Sequence, residues 1–180
     1  MKTRAIILHK NGDADQMIWD EVNLSDPEYG QVLVKHEFVG FNMIDIYHRS
    51  GIYPSPSKPC FLGTEASGVI ERVGPGVESF DVGDRVAYAG SGSGLGSYSY
   101  MRLMNSDDLI KVPDWMGLEV AAAILTKGRT VEYLFNRTHR LRKGETLLFN
   151  AAAGGVGPVS YTHLRAHETV LDLVCRLLLE

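Results

Sequence analysis

VGPGVESFDVGDRV, from Val73 to Val86, decides how this sequence folds. It reads as the end of one strand, a Gly-Pro-Gly turn, a short excursion, a Gly-Asp turn and the start of another strand. Gly74 and Gly76 flank Pro75 and are expected to supply positive φ there, and Asp84 beside Arg85 suits a polar turn entering the next strand. Working outward, RAIILH, QVLVKHEFVGF, ASGVIERV, DRVAYA and SYSYMRLM have the length and composition of strands, with glycine or proline clusters between them. That spacing belongs to an all-β barrel or sandwich rather than to alternating β and α units. One helix is expected at Met43–Arg49, with Asn42 as its cap and Gly51 at its end.

Near Pro113 the text changes. LEVAAAILTKGRTVEYLFNRTHRL has helical spacing, with Val131, Leu134 and Phe135 at helical intervals, so a domain junction is expected around residue 113. TLLFN, Thr146–Asn150, then reads as a fully buried parallel strand running into AAAGGVG. Ala152, Gly154 and Gly157 reproduce the GxGxxG dinucleotide fingerprint with alanine in first place. Small residues there let the chain turn off the strand and let its backbone approach a pyrophosphate at a helix N-terminus. An acidic residue about 20 positions on should end a second strand and bind the ribose. Asp172 has the right spacing, but HETVLDLVCRLLLE reads as helix, so Asp172 is rejected and the nucleotide unit is unfinished. SGSGLGSYSY, from Ser91, is expected to be a flexible surface loop and not a phosphate cradle.

Composition narrows the function. The 180 residues carry 18 basic and 22 acidic side chains, a net charge of −4, which argues against nucleic-acid binding. No apolar run is long enough for a membrane span, and the start MKTRAIILHK is too short in apolar residues for a signal peptide, so a cytoplasmic protein is expected. Cys60 and Cys175 make neither a disulfide framework nor a four-thiolate zinc site. Cys60 reads as a small apolar filler, and His36, His48 and His139 as satisfied or solvent-facing. His163 and His167 stand four apart but lack a third ligand, and no HExxH is formed. All 19 glycines fall at or before Gly157, a break in composition.

GFNMIDIYHRSGIYP, LGTEASGVIERVGPGVESFDVGDRVAY, KGRTVEYL and FNAAAGGVG, in this order, resemble the zinc-free quinone oxidoreductases of the medium-chain dehydrogenase/reductase superfamily. The resemblance covers Met1 to Gly157 and implies a mainly β fold with some α. A chaperonin-10-like (GroES-like) β-barrel domain would be followed by the first strand and glycine turn of a truncated Rossmann α/β domain. The domains implied are 1–112, the barrel, and 113–157, linker helices and the start of the Rossmann part. Residues 158–180 are then a non-native tail, since VSYTHLRAHETVLDLVCRLLLE resembles a translated sequencing or cloning artefact. The cofactor implied is NADPH, and the substrate a small-molecule quinone. Where the zinc enzymes of the superfamily place cysteine and histidine, this chain has Asn42 and Thr64, so no zinc is expected.

The resemblance also assigns residues. Asn42, Asp45, Tyr47, Thr64, Thr130 and Tyr133 would lie around the nicotinamide and its ribose, and Gly154, Gly155 and Val156 along the pyrophosphate. Tyr47 and Tyr53 are the candidates for touching the quinone by stacking or by hydrogen bonding a developing oxyanion. Family members are nearly twice as long and often form homodimers. This chain is therefore expected to be a fragment without quinone reductase activity. A zinc-free enone or alkenal reductase and a non-catalytic barrel fragment are the alternative readings.

Overall fold

The computed structural model describes residues 1–54, 58–90, 96–142 and 145–166, the side chains of 163–166 excepted. Of the flexible surface loop expected at 91–100, residues 91–95 lie outside the described residues, as do His167, Asp172 and Cys175 of the tail. The rest of that loop is corrected, since Ser97 and Ser99 are buried and Tyr98 is hydrogen-bonded through its backbone to Leu62 and Ile6. The chain divides into two compact units, Met1–Ala123 and Ile124–Glu180.

The first unit is built from β1 (Lys2–Leu8), β2 (Met17–Asn23), β3 (Gln31–Gly40), α1 (Met43–Ser50), β4 (Cys60–Phe61), β5 (Glu65–Val73), β6 (Arg85–Ala89), β7 (Met101–Asn105) and β8 (Ile110–Lys111). Each of the five expected strands is present. All ladders are antiparallel, in two sheets ordered β2-β1-β4 and β7-β3-β5-β6-β8. The expectation of a barrel is corrected here, because neither sheet closes on itself. β1 meets the larger sheet at an isolated bridge, Ala5 with Ser99, where the Ile6 N–H donates to the Tyr98 carbonyl and the Tyr100 N–H to the Arg4 carbonyl. The chain bends there, with the Ser99 N–H turned back to the Ser97 carbonyl, so the pairing does not propagate into a ladder. Trp19 of β2 sets its ring edge-on against Tyr100 beside this seam, 5.2 Å between centroids, with the Arg4 guanidinium 5.5 Å from the indole.

Alternation along the strands makes the core. Val32, Val34, Ala66, Ile70, Val86, Tyr88 and Met104 point to one side and pack with Phe80 and Leu109. Burying a side chain such as Val34 contributes about 1.5–3 kcal/mol. Gly76 takes positive φ, 77°, as expected, but Gly74 does not. Gly74 is needed for a different reason: a Cβ there would strike the Glu28 carbonyl oxygen.

The short helix α1 forms as the sequence requires. Asn42 is its extended N-cap and Gly51, at φ 88°, ends it in the left-handed region with its N–H on the Tyr47 carbonyl.

The helical text after Pro113 starts its helix at Leu118, as α2 (Leu118–Glu132), which continues as a π-helical turn over Tyr133–Thr138. In the second unit Val131 and Phe135 are buried, with Leu141, Leu147, Phe149, Val156 and Val159 packed on them. α3 runs from Val156 to Ala166, and Pro158 sits in its first turn, where a missing N–H removes no intrahelical bond. The expected buried parallel strand at Thr146–Asn150 is also corrected. The segment belongs to no described ladder, and Leu148 is 78% exposed between the packed Leu147 and Phe149. Strand-like alternation is present, but no neighbouring strand takes up the backbone groups.

Candidate functional site

The site in the first unit grows from the N-terminus of α1. Asp45, in the first turn, accepts the Asn42 backbone N–H on Oδ2 at 3.0 Å, which satisfies a donor that the helix leaves without an intrahelical partner. The same oxygen accepts the Tyr98 hydroxyl at 2.8 Å, and Oδ1 accepts the Thr64 hydroxyl at 3.3 Å. The Asn42 side chain turns the other way, its Nδ2 donating to Glu65 Oε2 at 2.8 Å. Asp45 and Thr64 are buried and Glu65 is fully so. Gly40 leaves the room for this, because a Cβ there would fall on the Glu65 carboxylate and the Ala122 carbonyl.

Burial raises the Asp45 pKa above the ordinary carboxylate value. The Tyr98, Asn42 and Thr64 hydrogen bonds and the nearby His48 work against that rise. Tyr98 is shifted up as well, first by burial and then by the Asp45 charge and hydrogen bond. A cluster of donors around one buried carboxylate is what results.

On the next turn of α1, Tyr47 packs edge-on against Tyr53, 5.3 Å between ring centroids, and the His48 ring lies 6.0 Å from that of Tyr53. Tyr53 is 46% exposed, so this aromatic pair has a solvent-facing side. The structure thus brings together Asn42, Asp45 and Thr64, and separately Tyr47 and Tyr53.

Thr130, on α2 in the second unit, donates to the Thr126 carbonyl at 2.7 Å, and Tyr133 is 59% exposed where the π-helical turn begins. Gly154, Gly155 and Val156 form the turn into α3, with the Gly154 N–H on the Ala151 carbonyl at 2.8 Å. Ala151 adopts φ 54°, a left-handed conformation that makes the turn tight. The sterically demanding position is Gly157, where a Cβ would overlap the Ala152 carbonyl. At Gly155 a Cβ would meet only the flexible Lys127 side chain, at 3.2 Å.

Two residues of the first cluster escape a reading of the sequence: Glu65 and Tyr98. Glu65 had a signal, a charge opening the otherwise apolar run EASGVI. Tyr98 had none beyond its place in SYSYMRLM, and its partner Asp45 is 53 positions away. Among the described residues no group of three or more His, Cys, Asp or Glu is placed to hold a metal ion. Asn42 and Thr64, at the expected zinc positions, each donate to a carboxylate. Cys60 is buried with Leu8 and Leu62, as a filler would be, and its Sγ accepts from Lys58 Nζ at 3.3 Å. His36 donates from Nδ1 to the Ser99 carbonyl at 2.8 Å and so accepts the Tyr88 hydroxyl on Nε2 at 2.9 Å.

A fold of this kind, with a cap-bound carboxylate at α1, defines a class that the comparisons identify. Residues 28–114 match the alcohol dehydrogenase GroES-like domain. In sequence and fold the chain is homologous to the zinc-independent quinone oxidoreductases of the medium-chain dehydrogenase/reductase superfamily. It is 44% identical over 146 residues to a quinone oxidoreductase of Pseudomonas aeruginosa, covering 81% of this chain and 44% of that protein. It is 41% identical to a 2-haloacrylate reductase of a Burkholderia species, over 86% of this chain and 47% of that one. The structure of Escherichia coli quinone oxidoreductase complexed with NADPH superposes with a TM-score of 0.86 at 40% identity, covering 91% of this chain and 49% of that one. The chain spans about half the length of the curated relatives it matches.

Proposed function

We propose that this chain provides the nicotinamide-side recognition of an NADPH-dependent reductase that passes hydride to a quinone without zinc. The observation that carries the reading is the buried Asn42–Asp45–Thr64 cluster at the start of α1, one turn from the Tyr47–Tyr53 ring pair. Its support from relatives is the 40% identical Escherichia coli enzyme, solved with NADPH.

The residues fit such a cofactor by their chemistry. With its hydrogen given to Asp45, the Thr64 hydroxyl keeps lone pairs for a ligand donor; with Nδ2 given to Glu65, Asn42 is fixed as to which side of its amide faces away. Acceptors of that kind suit an uncharged carboxamide and ribose hydroxyls. In the second unit, α3 starts at Val156, its Gly157 N–H donating to the Gly154 carbonyl at 3.2 Å, and Gly154 and Gly155 present backbone without Cβ, as a pyrophosphate requires. Thr130 and Tyr133 are assigned to the same cofactor.

NADPH, when bound, supplies the hydride. What the chain's own residues do is position and exclude. Asp45, surrounded by donors, holds Thr64 and the α1 cap in place. Tyr47 and Tyr53 offer ring faces for a flat quinone, and their hydroxyls are donors for the oxyanion that develops on it. Protons reach the reduced product from solvent.

The 2-haloacrylate reductase, at 41% identity, favours a second reading in which the acceptor is an activated alkene. We further assign residues 1–112 to the substrate-side domain, 113–157 to linker helices and the start of a nucleotide-binding domain, and 158–180 to a non-native tail. The whole protein is proposed to be a cytoplasmic homodimer; among the described residues no helix is long and apolar enough to cross a membrane.

Reduced nicotinamide mononucleotide tests the cofactor half, because it lacks the adenosine and engages only the residues assigned to the nicotinamide and its ribose. Titrated into the ¹⁵N-labelled chain at millimolar concentration, it is expected to shift the amides of Asn42, Asp45, Tyr47 and Thr64. Absence of binding, or shifts confined elsewhere, would refute the reading. Duroquinone and 2-chloroacrylate, titrated in parallel, separate the two acceptors by which one moves the Tyr47 and Tyr53 ring signals.

A further inference from the structure

Tyr98 is mounted more firmly than a residue of a glycine-rich connection needs to be. Its N–H donates to the Leu62 carbonyl at 3.1 Å, and its carbonyl accepts the Ile6 N–H at 2.8 Å. The ring packs against the Leu8, Cys60 and Leu62 cluster. Gly63, at φ 95°, allows the close approach: a Cβ there would come within 2.7 Å of the Tyr98 nitrogen. From this mount the phenol reaches Asp45 Oδ2, the same oxygen that holds the Asn42 N–H. Two donors on one oxygen fix the rotation of the carboxylate. The other oxygen, Oδ1, is thereby left at the place where Thr64 gives up its hydroxyl hydrogen.

We propose that Tyr98 is a positioning residue for the nicotinamide site: by locking the rotation of Asp45 it sets the direction of the Thr64 hydroxyl and of the lone pairs that Thr64 offers to the ligand. The inference rests on the cofactor reading above and extends it to a residue from a different part of the chain. Tyr98 itself touches no ligand in this scheme. The groups facing Asp45 are Tyr98, Thr64 and the Asn42 backbone by hydrogen bond and His48 by charge, with Glu65 on the far side of the Asn42 amide.

Three measurements on the full chain decide it. Tyr98→Phe keeps the ring that packs on Leu8 and Leu62 and removes only the hydroxyl. Since the Tyr98 hydrogen bond holds the Asp45 pKa down, its loss is expected to move the Asp45 carboxyl titration, followed by ¹³C NMR, to higher pH. An unmoved titration would overturn the inference. Affinity for reduced nicotinamide mononucleotide should fall roughly tenfold in Tyr98→Phe, the loss typical of a hydrogen bond to a charged group.

The double-mutant cycle with Thr64→Val separates positioning from simple support. If Tyr98 acts through the Thr64 hydroxyl, adding Tyr98→Phe to Thr64→Val costs little further affinity. Equal losses in both backgrounds, or unchanged affinity in Tyr98→Phe while the parent chain binds, would overturn the inference and leave the cofactor reading standing. Failure of the parent chain to bind would overturn the cofactor reading, and this inference with it.

Discussion

QVLVK at the start of β3 and TLLFN at 146–150 are both short apolar runs, and they come to different ends. β3 is paired along both edges, with β5 and with β7, and its Val32 and Val34 are fully buried. In β3 burial is continuous over Val32, Leu33 and Val34, whereas Thr146–Asn150 alternates between exposed and half-buried positions, joins no described ladder, and leaves Leu148 in solvent. An apolar, alternating run specifies which side chains will be covered. Whether it becomes a strand depends on a neighbour that takes its N–H and C=O groups.

The largest effect expected from this difference is on activity. A dinucleotide crevice forms where parallel strands diverge, and no parallel pair exists among the described residues. NADPH oxidation with duroquinone by this chain should therefore be indistinguishable from the rate without protein. Robust turnover would break the comparison by showing that an unpaired TLLFN suffices.

A charge placed in each run probes the same contrast through stability. Val34→Asp puts a carboxylate into the core of the larger sheet and is expected to cost more than about 4 kcal/mol, unfolding the first unit. Leu148→Asp, on an exposed side chain, should stay within about 0.5 kcal/mol. Urea unfolding followed by circular dichroism measures both; a severe loss from Leu148→Asp would mean that the segment is covered in solution.

Side chains extend the pairing of β3. Burial lowers the His36 pKa from 6.5 to about 4; the hydrogen bond to the Ser99 carbonyl opposes this, and the Arg102 charge adds to it. Between those two values the unfolded chain binds a proton that the folded chain does not. Stability that is complete above pH 6.5 is thus lost as pH falls toward 4, by about 2–3 kcal/mol. His36→Gln should flatten that part of the profile. An undiminished slope in the variant would assign the loss to other groups.

The smallest contrast between two variants lies in the glycine turn. Gly157→Ala is expected to cost about 1–3 kcal/mol through overlap with the Ala152 carbonyl, while Gly155→Ala, facing only Lys127, costs under about 1 kcal/mol. Amide exchange along α3 distinguishes them. Equal protection in both variants would show that the turn has room the structure does not give it.

Much of this was legible in the residues, for identifiable reasons. The strands β1, β3, β5, β6 and β7 follow from apolar alternation between turn residues, and α1 from Asn42 and Gly51. β4 and β8 pair over only two residues each, below any periodic signal, and β2 is a polar edge strand in which Asp20 and Glu21 mask the alternation. Closure was not legible because it turns on the bend at Ser99. Asn42, Asp45 and Thr64 were named in advance from the resemblance. Glu65 and Tyr98 were not, because their roles depend on packing between segments that are distant along the chain.

The seam where the two sheets meet also carries its own optical label. Trp19 rests edge-on against Tyr100 and under Arg4 at that seam, whereas Trp115 is 80% exposed and contributes a steady aqueous background. Parting the sheets would strip Tyr100 from Trp19, while Arg4, on the strand paired with β2, would stay beside the indole. A shift of indole emission to longer wavelength therefore reports that single event, and with Trp115→Phe the chain becomes a one-colour gauge of how its two sheets separate.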